Sequence, residues 1–256
     1  EKTESENKQI TIGRESIDSD PLKIKYFIRR QFIADEELFN LYLRRGKEVR
    51  PHEAQEKALA SLDESRKKGA DRALAILATG LGKTILSALD TRAAKADKIL
   101  FIVHINEILK QTKDSFEKVA PERKDDLGFY TGKQKDRGKK ILFASIQTMG
   151  RQKHIQSFPP DYFDYIIIDE THHTAAPTYT KIFDYFKPKF FLGLTATPDR
   201  MDQKDILGFY NGNVVFEMGQ EAAIEQGYLT PFKYLGFKDD IDYSDIYFNG
   251  FRYDTK

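Results

Sequence analysis

The chain has 256 residues, 40% of them hydrophobic, enough to bury a sizeable core in one large domain or one domain with appendages, so disorder is not the default. With 41 basic against 40 acidic residues the net charge is +1, so any surface for nucleic acid or membrane must be local. There is no cysteine, which excludes disulfides and thiolate metal sites and fits a reducing cytosol.

The opening residues Glu1-Lys2-Thr3-Glu4-Ser5-Glu6 have no apolar core or cleavage pattern, and no apolar run approaches the ~18 residues of a membrane helix. A cytoplasmic protein with no membrane partner is expected, and the lack of an initiator Met leads us to expect a fragment. Asp18-Ser19-Asp20-Pro21 is a capping signal, after which Ile24, Phe27, Ile28, Phe32, Leu38, Leu41 and Tyr42 recur near helical spacing. That predicts one or two helices between Leu22 and Leu43, with Gly46 as a stop. Residues 1–45 are therefore read as a helical extension of unassigned role, in which Arg29, Arg30, Arg44 and Arg45 are solvated faces. A further helix is predicted after Pro51, through Leu62, ended by Lys67-Lys68-Gly69.

From there the chain alternates. Apolar runs at Ala73–Leu77, Lys98–Val103, Lys140–Ala144, Tyr165–Ile168 and Phe190–Leu194 lack polar alternation, as strands covered on both faces do. Helical stretches at Thr84–Ala96 and Glu107–Val119 lie between them, and this βαβ rhythm specifies an α/β fold with a mainly parallel sheet. Such sheets bind ligands beyond the carboxyl ends of their strands. Each polar, chemically equipped stretch falls just after a predicted strand, so one edge of the sheet collects them. The basic loop Lys133–Lys140 reads as a solvated connection, with phosphate contact as the alternative.

Three of these stretches carry chemistry. Leu77-Ala78-Thr79-Gly80-Leu81-Gly82-Lys83-Thr84 is a glycine-punctuated turn between strand and helix, the pattern of a phosphate-binding loop. Its glycines let successive N–H groups converge on phosphate oxygens, Lys83 would reach the β- and γ-phosphates, and the Thr84 hydroxyl suits Mg²⁺. The common pattern has a further glycine upstream, where this chain has Leu77. Asp169 and Glu170 end the strand Tyr165–Ile168, where Asp169 can hold Mg²⁺ and Glu170 can polarise the water that attacks the γ-phosphate. A plain acidic strand end is the alternative, and His172-His173 raises zinc as a rival, without a thiolate or one-face helical spacing. Thr195-Ala196-Thr197-Pro198 places two hydroxyls at the next strand exit, as a link to a second surface or as a turn cap.

Together Ala78–Thr84, Asp169-Glu170-Thr171-His172 and Thr195–Pro198 resemble motifs I, II and III of superfamily-two DEAD/DEAH-type helicases. Arg50-Pro51-His52-Glu53-Ala54-Gln55 resembles the element whose glutamine reads adenine, which assigns Gln55, with Arg50, to the nucleotide. His104, Asn106 and Gln111 resemble motif Ia on the nucleic-acid backbone, though relatives often carry arginine at Asn106. Ser145, Gln147 and Thr148 resemble the next nucleic-acid element. Thr171 replaces the usual alanine, leaving Asp169, Glu170 and His172 in place. With Thr195–Asp202, the pattern is similar to the type III restriction and XPB-like repair branch.

The resemblance covers about residues 47–235 and implies a three-layer RecA-like domain at 46–235. It binds ATP through Thr79, Gly80, Leu81, Gly82, Lys83 and Thr84, and Mg²⁺ through Thr84 and Asp169. Catalysis falls to Glu170, Lys83, Asp169 and His172, and coupling to Thr195 and Thr197. The implied partners are DNA, with RNA as the alternative, a second RecA-like domain and, in some bacterial relatives, an upstream nuclease. Leu229–Leu235 looks like the strand leading out, and 236–256 is read as a linker to the second domain. Two rivals remain at this point. A P-loop phosphotransferase would need an acceptor pocket, and a nucleic-acid-binding module would have lost hydrolysis.

Overall fold

A computed structural model of the chain describes residues 49–104, 107–171, 177–196 and 203–231. The expected N-terminal helices and the linker at 236–256 lie outside the described residues.

The first described helix, α1 (Glu53–Lys67), starts where the sequence supplies a reciprocal cap. His52 accepts from the Gln55 amide, and the Gln55 side chain accepts from the His52 amide. Glu53 and Glu56 in its first turn and Arg66 and Lys67 in its last oppose the helix dipole, and Gly69, at φ 86°, lets the chain turn away. The strands then follow as β1 (Arg72–Leu77), β2 (Ile99–Val103), β3 (Leu127–Tyr130), β4 (Ile141–Ser145), β5 (Tyr165–Asp169), β6 (Phe190–Thr195) and β7 (Val214–Met218). The helices between and after them are α2 (Lys83–Ala93), α3 (Ile108–Val119), α4 (Ile146–Met149), α5 (Gln152–Ile155), α6 (Pro177–Tyr185), α7 (Gln203–Phe209) and α8 (Gln220–Glu225), with a 3₁₀ turn at Pro121–Asp126.

The seven strands form one sheet in the order β3-β4-β2-β5-β6-β1-β7, and each of their pairings is parallel. The five runs recognised in the sequence are its five central strands. The two edge strands, β3 and β7, add to that expectation. Leu229 and Thr230, expected to begin an outgoing strand, form a bend and coil instead.

Alternation along each strand feeds two cores, which makes three layers. Ala73, Ala75 and Leu77 of β1 join Leu62, Leu86, Phe116 and Ala223 on one face, under α1, α2, α3 and α8. Leu74 and Ile76 join Met149, Ile155, Ile182 and Ile206 on the other, under α4 to α7. Phe116 meets Phe101 and Phe143 edge to face, with centroids 5.6 and 5.2 Å apart. Truncating such a ring to alanine costs about 3–5 kcal/mol. Because the strands run parallel, the residues after β1, β2, β4, β5 and β6 emerge along one edge. β6 separates β1 from β5 and so sets the spacing between the glycine loop and the carboxylates.

Candidate active site

The chain leaves β1 into a turn that two glycines make possible. Gly80 has φ 95°, and Gly82, the residue that caps α2, has φ 75°. Space is as restrictive as the backbone: a Cβ on Gly82 would lie 2.6 Å from Gln55 Nε2, and one on Gly80 would lie 3.0 Å from Leu229 Cδ2. Gln55 Nε2 donates to the carbonyls of Leu81 and Gly82, both at 3.2 Å, and His52 Nε2 lies 3.3 Å from the same Leu81 oxygen. These bonds hold the loop's carbonyls on α1, while the first-turn amides of α2 have no partner within their own helix. Thr79 and Gly80 are exposed, Leu81 is buried beneath them, and Lys83 and Thr84 are half-buried. Arg50 is exposed ahead of α1. The sequence assigns Gln55 to adenine; the structure places its amide nitrogen on the loop backbone. His52, inside the element that carries Gln55, and Leu229, at the head of the expected outgoing strand, both lie against the loop, a role assigned to neither from the sequence.

Across β6 stand the carboxylates. Asp169 closes β5, is 8% exposed, and accepts the Glu170 amide at 3.1 Å. Burial first, and the charge of Glu170 second, push its carboxyl up to about 6, against the opposing pull of Lys83. Glu170 sits at φ 52°, in the left-handed region, and its Oε1 lies 3.8 Å from Lys83 Nζ. Lys83 Nζ also donates to the Leu77 carbonyl at 3.5 Å. Thr195 is buried at the end of β6, in register with Ile76 of β1. His172 and Thr197 lie outside the described residues, as does His173. Among the described residues, no group of three His, Cys, Asp or Glu side chains is placed to hold a metal ion by itself.

The residues assigned to nucleic acid separate into two kinds. His104, Gln111 and Gln147 are exposed, and Gln147 Nε2 donates to the His104 carbonyl at 2.7 Å, tying the exits of β2 and β4 together. Ser145 and Thr148 are buried, and the Ser145 hydroxyl donates to that of Thr148 at 3.0 Å. Asn106 lies outside the described residues.

Ser145, Gln147 and Thr148 line a groove of about 750 Å³ whose other walls include Lys110, Lys133, Lys135, Arg151 and Lys153, with Glu107 its one carboxylate. Those five cations are exposed, and no ion pair joins any of them among the described residues, whereas Lys57, Lys67, Lys68, Lys124, Lys140 and Lys189 elsewhere each face a carboxylate within 2.9 Å. The loop that carries Lys133 and Lys135 is internally fixed. Thr131 Oγ1 accepts the Lys133 and Gln134 amides at 3.3 and 3.1 Å, and Asp136 is turned onto the Phe129 amide at 2.9 Å. On the groove wall, burial first, then the charges of Lys135, Lys153, Arg151 and Arg137, lower the pKa of His154. The near-neutral chain thus has a locally basic face.

The described architecture agrees with what known proteins share with this chain. A family model described as type III restriction enzyme, res subunit, matches residues 48–200. The EcoAI type I restriction enzyme endonuclease subunit of Escherichia coli is 29% identical over 214 residues, covering 77% of this chain and 25% of that protein. The putative ATP-dependent helicase IRC3 of Saccharomyces cerevisiae is 28% identical over 209 residues, covering 75% and 30%. The chain therefore spans a quarter to a third of these relatives. Among solved structures, the Pyrococcus furiosus Hef helicase domain superposes with TM-score 0.56 at 18% identity, covering 69% of this chain and 40% of that one. The DNA-bound type ISP restriction-modification enzyme LlaBIII gives 0.56 at 20% identity, covering 73% and 16%. At that identity the likeness is one of fold, and it is the RecA-like α/β fold.

Proposed function

Because the chain belongs to the family of the type III restriction enzyme res subunit, we propose that it is the ATP-binding motor domain of a nucleic-acid-dependent helicase or translocase that couples ATP hydrolysis to movement on DNA. The observation that carries the reading is the meeting of Lys83 and Glu170 at 3.8 Å, which brings the glycine loop and the carboxylate turn to one point at the sheet edge. The rivals lack such an observation: a phosphotransferase needs an acceptor pocket, and a module that had lost hydrolysis has no use for Glu170.

The site fits Mg-ATP on its own geometry. The positive φ at Gly80 and Gly82 lets the loop's amides turn toward an anion, and Asp169 is a buried carboxyl whose ionised form gains from a cation. Thr84 and Asp169 would hold Mg²⁺, and Lys83 with the amides of the loop would hold the phosphates. The bound nucleotide supplies a phosphoanhydride bond whose hydrolysis drives movement. Glu170 takes the proton of the attacking water, and Asp169 would help hold the cation, whose charge would offset that of the phosphates. Arg50 borders the nucleotide, Gln55 holds the loop at its side, and His172 in the DEAH-type sequence joins the carboxylates. Thr195 and Thr197 couple the site to the groove.

DNA runs over His104, Gln111 and Gln147 along the basic groove. The similarity to a restriction endonuclease subunit favours a second reading, translocation within a restriction complex without strand separation. The domain spans 46–235, and 236–256 leads to a second RecA-like domain that provides a transition-state arginine; an upstream nuclease is a further possible neighbour. No helix among the described residues is long and apolar enough to cross a membrane, and we place the protein in the cytoplasm.

ATPase measurement with and without DNA tests the proposal. The full-length protein should be stimulated by DNA. The 256-residue chain should bind Mg-ATP weakly and turn it over barely, since an arginine finger is worth roughly 10³–10⁵ in rate. Brisk, DNA-stimulated turnover by this chain alone would overturn the two-domain reading.

A further inference from the structure

Behind the carboxylate turn lies a buried hydroxyl pair that the motifs do not account for. Thr171, the departure from the expected alanine, is fully buried, and its Oγ1 lies 2.7 Å from Tyr210 Oη. Tyr210, just past α7, is itself fully buried, and it reaches Thr171 only because position 193 has no side chain. A Cβ there would lie 2.4 Å from the tyrosine Cζ and 2.6 Å from its Oη. Gly193 is in register with Ile168, two residues before Glu170. The far end of Tyr210 is fixed as well. Its carbonyl accepts the Asn213 amide at 2.9 Å, and Asn213 Nδ2 donates to the Arg72 carbonyl at 2.7 Å, anchoring the turn to the start of β1. A third hydroxyl, that of Tyr179, is buried without a partner among the described residues, within reach of the charges of Asp169 and Glu170.

The residue that this pair abuts is the strained one. Glu170 occupies the left-handed region without being a glycine, which is unfavourable and persists only where the surroundings over-determine it. Thr171 is the next link of the backbone, so fixing its side chain fixes the peptide that joins the two. Neither hydroxyl of the pair has another hydrogen-bond partner among the described residues, and separating them would leave two buried polar groups unsatisfied. We propose that the Thr171–Tyr210 hydrogen bond is a positioning device: it holds Glu170 in its left-handed conformation with the carboxylate toward Lys83, so that both residues govern turnover and not nucleotide binding. The inference rests on the reading of Glu170 as the group that activates water. It also links that group to the α7–β7 turn, a segment no motif covers.

The test uses the full-length protein with Thr171→Val, which exchanges the hydroxyl for a methyl of similar size, Tyr210→Phe, the double variant and Thr171→Ser. Thr171→Val and Tyr210→Phe should each lower kcat by about tenfold or more, as expected when a catalytic group is misplaced by a fraction of an ångström. The dissociation constant for ATP should stay within about twofold, since Lys83 and the loop are untouched. The double variant should be no worse than either single one, because the two residues act as a unit. Thr171→Ser keeps the hydroxyl and should restore most of kcat. A crystal structure of Thr171→Val should show Glu170 out of the left-handed region or its carboxylate turned from Lys83. If Thr171→Val does not fold, Tyr210→Phe decides. Wild-type kcat in both single variants, or ATP binding lost in step with melting temperature, overturns the inference alone. A wild-type protein with no ATPase activity overturns the motor reading and the inference with it.

Discussion

Lys83 of α2 and Glu170 beyond β5 approach to 3.8 Å across the end of β6, although 86 positions separate them in the chain numbering and neither strand before them pairs with the other. On the proposed reading the ammonium is the phosphate ligand and the carboxylate is the base, so their removal should have opposite signatures. Glu170→Gln should leave ATP affinity unchanged or slightly higher, since a competing anion near the phosphates is gone, and should lower turnover by about 10²-fold or more. Lys83→Ala should weaken binding and turnover together. Isothermal titration with ATP beside steady-state ATPase on the full-length protein separates the two; equal losses in both measurements for Glu170→Gln would remove it from the role of base.

The cost of keeping Asp169 charged should be visible in stability. Burial pushes its carboxyl up to about 6 in the folded chain from an ordinary 3.8, so the folded state holds that proton more tightly and ionisation destabilises it. The contribution is present at low pH and is lost as pH rises from about 4 through 6. Above that window the difference amounts to about 3 kcal/mol at most. Asp169→Asn, free of nucleotide and metal, should therefore melt a few degrees higher than wild type at pH 8, with the gain fading toward pH 4.5, while losing activity. A melting difference that does not vary with pH would show that burial of the charge is not the cause.

The central strands were legible because a strand covered on both faces has no polar position to interrupt it: Ile99–Val103 and Tyr165–Ile168 read as apolar runs and are buried throughout. The edge strands lack that signal. β7 is half-exposed, with Glu217 within it and Val214 38% exposed, and β3 is four residues long with Gly128 inside. Motif residues were legible as types in order, and the parallel sheet turned that order into proximity. What sequence could not supply is pairing at a distance. Asp90, a carboxylate inside the helical stretch Thr84–Ala96, is fully buried, held by two bonds from Arg66 at 2.7 and 2.8 Å and by the Tyr165 hydroxyl. Tyr210 likewise belongs to no motif, and only the gap at Gly193 shows where its hydroxyl goes.

Gln55 offers a sharper test of the loop. Both of its amide-nitrogen bonds go to loop carbonyls, so Gln55→Ala should loosen the cradle for any triphosphate. Two such bonds are worth about 1–3 kcal/mol together, or roughly 5- to 150-fold in affinity. ATP, GTP and inorganic tripolyphosphate should weaken alike in competition binding. If only the preference for ATP over GTP is lost, with tripolyphosphate unaffected, the side chain reads adenine and its hold on the loop is incidental.

The basic groove should announce itself through salt. Lys133, Lys135, Arg151 and Lys153 are exposed and without carboxylate partners among the described residues, and Asp136, the acidic residue of their loop, is spent on the Phe129 amide. A phosphate backbone laid in the groove would release about 0.9 counterion per contact on duplex DNA and about 0.7 on a single strand. Replacing the four cations with glutamine should therefore flatten the plot of log affinity against log salt by roughly 2 to 4 units of slope, with the largest loss of affinity at low salt. Base preference should not change, because these contacts carry no sequence information. Lys67→Gln with Lys68→Gln is the matched control: both lysines are already paired, with Asp63 and Glu64 on α1, and their loss should leave the slope alone. Fluorescence anisotropy with matched duplex and single-stranded DNA and RNA, across a salt series, gives the slopes and the choice of track together. If the fourfold variant keeps the wild-type slope on each of them while the protein still binds, the track runs elsewhere on the motif edge.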